Sequence, residues 1–149
     1  MKALVIYSSI YGNTKVIADS IASQLGNDAQ SISVNDIREH DLEGINLLVL
    51  GSAIDAWKPA KKIGVFINNL NLNKIRNIPV AVFDTRVKLF IKGNVSKNIE
   101  KALKPSSANL IVPPIGFYVN SRQGPLLGGE KEKAKAWAKL LESKLNNCS

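Results

Sequence analysis

The chain is poor in the residues from which disulfides, metal sites and hydrolytic triads are built. Its 149 residues include one cysteine and one histidine. Cys148 alone can close no internal disulfide and supplies no cysteine metal site. His40 lies in the polar stretch REHDLEG and reads as exposed connector. With no Gly-x-Ser-x-Gly elbow anywhere, nothing supports a Ser-His-Asp set. Long hydrophobic runs are also missing. ALVIY and INLLVLGSAI are far shorter than the roughly 20 residues that cross a bilayer, and Met1-Lys2 leads into a strand rather than a signal peptide. A cytoplasmic protein without a membrane span is expected. No repeat, low-complexity tract or Pro/Gly/Ser linker divides the sequence, so one domain over residues 1–149 is expected.

Negative charge is scarce in the second part of the chain. Residues 1–57 carry 3 basic and 7 acidic side chains, whereas residues 58–149 carry 17 and 5. A field of that sign attracts an acidic protein, an anionic cofactor or nucleic acid. Nucleic acid ranks last, because no aromatic-basic recognition motif accompanies the charge. Lys131, Lys133, Lys135 and Lys139 read most simply as the solvated face of a helix.

Apolar runs of strand length occur at Ala3 to Tyr7, Ile45 to Leu50, Ile78 to Phe83 and Asn109 to Val112, with a weaker alternating one at Gln30 to Val34. Helical periodicity lies between them: Val16, Ile17, Ile21, Leu25; Ile63, Phe66, Ile67, Leu70; Val95, Ile99, Leu103; and Ala134, Trp137, Leu140, Leu141, Leu145. Thr14 or Asn13 is expected to cap the first helix, Gly26 to end it, and Pro59 to occupy the first turn of the second. Alternating strands and helices predict an α/β fold with a parallel sheet covered on both faces, the polar second strand at an edge. Pro113 and Pro114 interrupt the fifth strand, which resumes at Gly116 to Val119 and suits another edge.

The first strand ends in a short polar loop, Ser8, Ser9, Ile10, Tyr11, Gly12, Asn13 and Thr14, which opens the first helix. Free backbone N–H groups and the positive end of a helix dipole meet there, a place suited to phosphate. The loop has neither the Gly-Lys-Ser/Thr of an ATP-type P-loop nor the three spaced glycines of a dinucleotide site. A monophosphate held by neutral donors is the remaining natural guest; an ordinary capped strand-to-helix turn is the plain alternative.

Val5, Ile6 and Tyr7, followed by Ser9, Gly12, Thr14, Ala18 and Ile21, resemble the FMN-phosphate signature of flavodoxins over 17 positions. VLGSAIDAWKPAKKIGVFI, VAVFDTR and GFYVNSRQGPLLGGEKEKAKAW are similar to the third-strand loop, fourth-strand loop and final loop-helix of flavodoxin-domain proteins. The resemblance implies a flavodoxin-like three-layer sandwich, a five-stranded parallel sheet of order 2-1-3-4-5, and non-covalent FMN. One departure stands out. Flavodoxins place Thr or Ser where this chain has Ile10 and Tyr11, and each lost hydrogen bond is worth about 0.5–1.5 kcal/mol net.

An isoalloxazine ring needs flat apolar partners and a few polar groups, which this family draws from the loops after strands three and four. Those loops are read as Ser52 to Lys58 and Asp84 to Phe90. The resemblance places the flanking contacts at Ala53, Ile54, Asp55 and Trp57, with Trp57 stacking; its alternative role is to anchor the loop to the next helix. Asp84, Thr85 and Arg86 are implied at the pyrimidine edge, the alternative being a simple Asp84–Arg86 ion pair. Reduced flavin is anionic, so Arg86, Lys88 and Lys58 are expected to make reduction easier. A unit charge at about 7 Å in an effective dielectric of 20 contributes on the order of 2 kcal/mol.

The leading expectation is an electron carrier, with no catalytic residue and no metal, that docks acidic redox proteins and works as a monomer. An FMN-dependent quinone or protoporphyrinogen oxidoreductase of the same fold is the alternative, with the loop from Ser121 to Gly129 available to contribute a substrate segment. A flavin-free binding domain is a third reading.

Overall fold

The computed structural model describes residues 1–55, 58–59, 77–87, 109–121 and 123–147. The periodic segments expected to be helices at Ile63 to Leu70 and Val95 to Leu103, and Trp57, lie outside the described residues.

The chain runs β1 (Ala3–Ser8), α1 (Asn13–Leu25), β2 (Gln30–Ser33), a 3-10 turn (Glu39–Leu42), β3 (Leu47–Asp55), β4 (Lys58–Pro59), β5 (Pro79–Val87), β6 (Asn109–Leu110), β7 (Ile115–Val119) and α2 (Glu130–Asn147). Strand order is β2-β1-β3-β5-β6, with β7 also paired to β5. These pairs are parallel. Counting β6 and β7 as one strand broken at Pro113-Pro114, the order is the expected 2-1-3-4-5. Proline has no N–H for a ladder, so the double proline opens the gap between them.

Both faces of the sheet are buried along its central strands because β1, the first part of β3 and the first part of β5 are apolar at successive positions. Val5, Tyr7, Leu47, Val49, Ala81, Phe83 and Phe117 face α1 and α2 and pack on Ile17, Ile21, Trp137 and Leu141. Their neighbours Leu4, Ile6, Leu48, Leu50, Val80 and Val82 point the other way, against Leu42 and Ile45. Period-two alternation with both sets apolar requires cover on both sides. Phe83, Phe117 and Trp137 meet edge to face with centroids 5.8, 6.1 and 6.3 Å apart. β2, polar and half-exposed, pairs with β1 at one end of the sheet.

Three local expectations are corrected. β3 and β5 run on to Asp55 and Val87, so Ser52 to Asp55 and Asp84 to Arg86 are strand residues rather than loop. Pro59 sits in the two-residue β4, antiparallel to β3, and not in a helical turn. Neither Thr14 nor Asn13 caps α1: Gly12 occupies the N-cap at φ 91 without a side-chain cap. The side chains of Asn13 and Thr14 are drawn to partners distant in sequence. Gly26 does end α1, its N–H bonding to the Ala22 carbonyl.

Candidate functional site

Parallel strands bring their carboxyl ends to one edge, and ligands of such sheets bind there, where the strand order reverses. In this sheet the reversal lies between β1 and β3, which leave in opposite directions from the chain's first crossover. The loop from Ser8 to Thr14 stands at that point.

The loop is shaped by its own side chains. Gly12 takes a left-handed φ that a side chain disfavours, and its N–H donates to Ser9 Oγ at 3.0 Å. Val16 N–H closes the first helical bond to the Gly12 carbonyl at 3.1 Å. Amides of the first helical turn have no intrahelical acceptor, and the helix dipole adds positive potential beside them. Ser8 is buried and Ser9 half-buried, whereas Ile10 and Tyr11 stand 44% and 46% exposed.

Two site residues tie the loop to distant parts of the chain. Asn13 Nδ2 donates to the Gln123 carbonyl at 3.2 Å, and a Cβ on Gly124 would meet the Asn13 amide atoms at 2.7 Å. Residues 123–127 fold back on β7, with Asn120 N–H to the Pro125 carbonyl at 2.9 Å and Leu127 N–H to the Tyr118 carbonyl at 3.0 Å. The turn therefore forms a fixed wall beside the loop. Thr14 is 1% exposed, and its Oγ1 lies 2.7 Å from Oγ1 of Thr85, itself 5% exposed. Among the described residues each hydroxyl has the other as its partner.

At the ends of the central strands, register aligns Ser8 with Ser52, Ser52 with Asp84, and Asp84 with Gly116. The first three side chains are buried. Asp84 and Arg86 lie on the same face of β5, where Arg86 Nε donates to Asp84 Oδ1 at 2.7 Å and a second guanidinium N–H reaches Oδ2. Gly116 makes room for this fork: a Cβ there would sit 2.7 Å from Arg86 Nε. Burial works against the guanidinium charge, but the Asp84 hydrogen bonds and charge, with Tyr118 nearby, hold its pKa above the ordinary value. The ion pair named as the alternative for this stretch is present, and it is buried. Arg86, one of the three cations from which easier flavin reduction was expected, is thereby paired with Asp84; Lys88 and the Lys58 side chain lie outside the described residues.

Ala53 is half-buried and pairs with Thr85. The backbones of Ile54 and Asp55 pair with those of Pro59 and Lys58. Trp57, Lys88 and Phe90 lie outside the described residues. Glu130 escaped sequence reading, and Lys133, read as part of a solvated face, is instead half-buried against β7. Glu130 accepts the Tyr118 N–H at 3.0 Å. Lys133 donates to the Gly116 carbonyl at 2.8 Å and stands over the Phe117 and Tyr118 rings at 5.2 and 4.9 Å. The one available signal was that these two polar residues sit a turn apart at the start of an otherwise amphipathic helix.

Among the described residues, no group of three His, Cys, Asp or Glu stands where it could hold a metal, and no helix is long and apolar enough to cross a membrane.

The sequence profile of a flavodoxin domain family, Flavodoxin_5, matches residues 4–111. A flavodoxin-like domain-containing protein, BilS, from Clostridioides difficile is 29% identical over 160 aligned positions, which span 99% of this chain and 83% of that protein. The solved structure of a flavodoxin from the domain Archaea superposes with TM-score 0.83 at 19% identity, covering 98% of this chain and 99% of the other. A flavodoxin, WrbA-like protein from Agrobacterium tumefaciens gives 0.77 at 17% identity, covering 97% of each chain.

Proposed function

This chain belongs to the flavodoxin domain family, and we propose that it binds FMN at the carboxyl ends of β1, β3 and β5 and carries electrons between redox proteins. The observation that carries the reading is the Ser8–Thr14 loop. It sits at the switch point, opens α1 through a left-handed Gly12, and keeps a buried threonine hydroxyl beside the first helical turn. These features fit a phosphate dianion. Amides of a helix start and a hydroxyl supply neutral donors, and the dipole offsets the charge without a lysine.

When bound, FMN supplies the capacity to accept and release one or two electrons. The protein's residues do the rest. The loop of residues 8–14 holds the phosphate end. The wall of residues 123–125, pinned to Asn13, limits where the ribityl chain and ring can lie. The Asp84–Arg86 fork braces the end of β5. Exposed Lys131, Lys135 and Lys139 on α2 belong to a stretch of strong positive excess, which favours acidic partners.

Visible flavin absorbance of the purified protein tests the cofactor. If the protein emerges colourless, FMN fluorescence should be quenched on titration, and unquenched fluorescence at saturating protein would end the reading. Rapid NAD(P)H oxidation in the presence of a quinone would replace the carrier by an oxidoreductase.

A further inference from the structure

The Thr14–Thr85 contact joins two parts of the site separated by 71 residues. A threonine hydroxyl has one proton to donate and two lone pairs to accept with. Two hydroxyls facing each other spend one proton on their mutual bond. The second proton then belongs to whichever oxygen accepts. Among the described residues it has no acceptor, although both side chains are at least nine-tenths buried. A buried donor without an acceptor is costly, so a further group is called for at this place.

We infer that Thr85 is a positioning residue for the phosphate end of the flavin nucleotide: it donates to Thr14 Oγ1 and so turns the single Thr14 proton toward the anion. This rests on the reading of residues 8–14 as a phosphate loop. Thr14 is the second residue of α1, beside the first-turn amides, whereas Thr85 lies within β5. An anion at the helix start competes for the nearer proton. A charge-assisted bond is roughly twice as strong as a neutral one, so the arrangement with Thr85 as donor prevails once the anion is present. Each bond of the chain then polarises the next.

Thr85 suits this part because it cannot drift. Its backbone is paired on both sides, to Ala53 of β3 and Phe117 of β7. Thr14, at a helix end, sits on the less constrained partner. The rigid strand thus sets the rotamer of the residue on the loop, and no charge is needed to do it.

The test compares FMN with riboflavin, which lacks the phosphate, by fluorescence quenching on apoprotein from the wild type, Thr85→Val, Thr85→Ala, Thr85→Ser and Thr14→Val. Thr85→Val keeps the shape and removes the hydroxyl; should it not fold, Thr85→Ala carries the same comparison. The expected result is an FMN Kd weakened about threefold to tenfold in Thr85→Val with riboflavin Kd unchanged, the wild-type ratio regained in Thr85→Ser, and no further loss when Thr85→Val is added to Thr14→Val. If FMN and riboflavin bind the wild type equally, the phosphate loop itself is refuted and this inference with it. If the wild type prefers FMN but the Thr85 variants keep that preference, or lose both ligands in proportion, the loop stands and the role given to Thr85 is overturned.

Discussion

Asp84 and Arg86, two residues apart on β5, close on each other through both carboxylate oxygens while Asp84 is fully buried and Arg86 is 9% exposed. Side chains at i and i+2 of a strand share a face, so the pairing needs no turn. It does need space, which Gly116 on the neighbouring strand leaves open. The pair occupies the carboxyl end of a central strand, at the edge of the sheet where the candidate site lies.

Removing one member of this pair should be far worse than removing both. Arg86→Met leaves Asp84 buried with its counter-charge gone and should cost about 3–5 kcal/mol in urea unfolding, whereas Asp84→Asn with Arg86→Met should recover most of that. The Arg86 contribution has a defined pH behaviour. Its folded pKa is raised above the ordinary guanidinium value, so its stabilisation is complete below the unfolded value and lost only as pH rises through the folded one. Arg86 therefore adds no slope to stability from neutral to moderately alkaline pH. A slope in that range that disappears in Arg86→Met would contradict the assignment.

Gly51→Ala should be among the most damaging single-methyl changes in the chain. Gly51 pairs with Phe83, and a Cβ there would lie 2.0 Å from the far carbon of the Phe83 ring. That ring is locked between Phe117 and Trp137. A loss of about 3 kcal/mol is expected from overpacking, read as a drop in Tm of roughly 10 °C. A Tm within a degree or two of wild type would mean that the ring has room to move.

α2 is fastened to β7 by its first turn. Lys133→Met keeps the alkyl stem but loses the bond to the Gly116 carbonyl and the charge over Phe117 and Tyr118, and should cost about 1–2 kcal/mol. Glu130→Ala, which strands the Tyr118 N–H, should cost about 1–3 kcal/mol, and Glu130→Gln less because its amide oxygen still accepts. Equal losses in the Ala and Gln variants would show that charge, not the hydrogen bond, matters at residue 130.

Ile10→Thr restores the hydroxyl that flavodoxins carry in this loop. Ile10 is 44% exposed, so the unfolding midpoint should stay put. FMN Kd should tighten several-fold, in keeping with about 0.5–1.5 kcal/mol for one added hydrogen bond, with riboflavin Kd unaltered. Titration of both ligands checks this, and an unchanged FMN Kd would argue that residue 10 faces away from the phosphate.

Much of the architecture is written in short-range pattern. Apolar strands alternating with helical periodicity led to a parallel α/β sheet, the flavodoxin resemblance supplied its order, and Gly26 marked the end of α1. Several of the errors share one cause. Asp84, Thr85 and Arg86 look like loop because they are polar, yet each has a partner that sequence distance conceals: Asp84 and Arg86 in a buried fork, Thr85 across to Thr14. Asn13 has the composition of a cap, and a turn 110 residues away claims its amide. Pro59 suits a helix start or an edge strand equally, since both forgive a missing N–H, and pairing with β3 chose the strand.

Local chemistry was enough to specify where the central strands, α1 and α2 lie, that the strand residues on both faces of the sheet are buried, and that a short polar loop follows β1. Periodicity and glycine placement act over a few residues and can be read along a line. The pairing of Thr14 with Thr85, the burial of the Asp84–Arg86 charges and the space reserved by Gly51 and Gly116 came only with folding. Whether a polar group is exposed, neutralised or aimed at a ligand depends on which distant atoms arrive within 3 Å of it, and no local pattern encodes that.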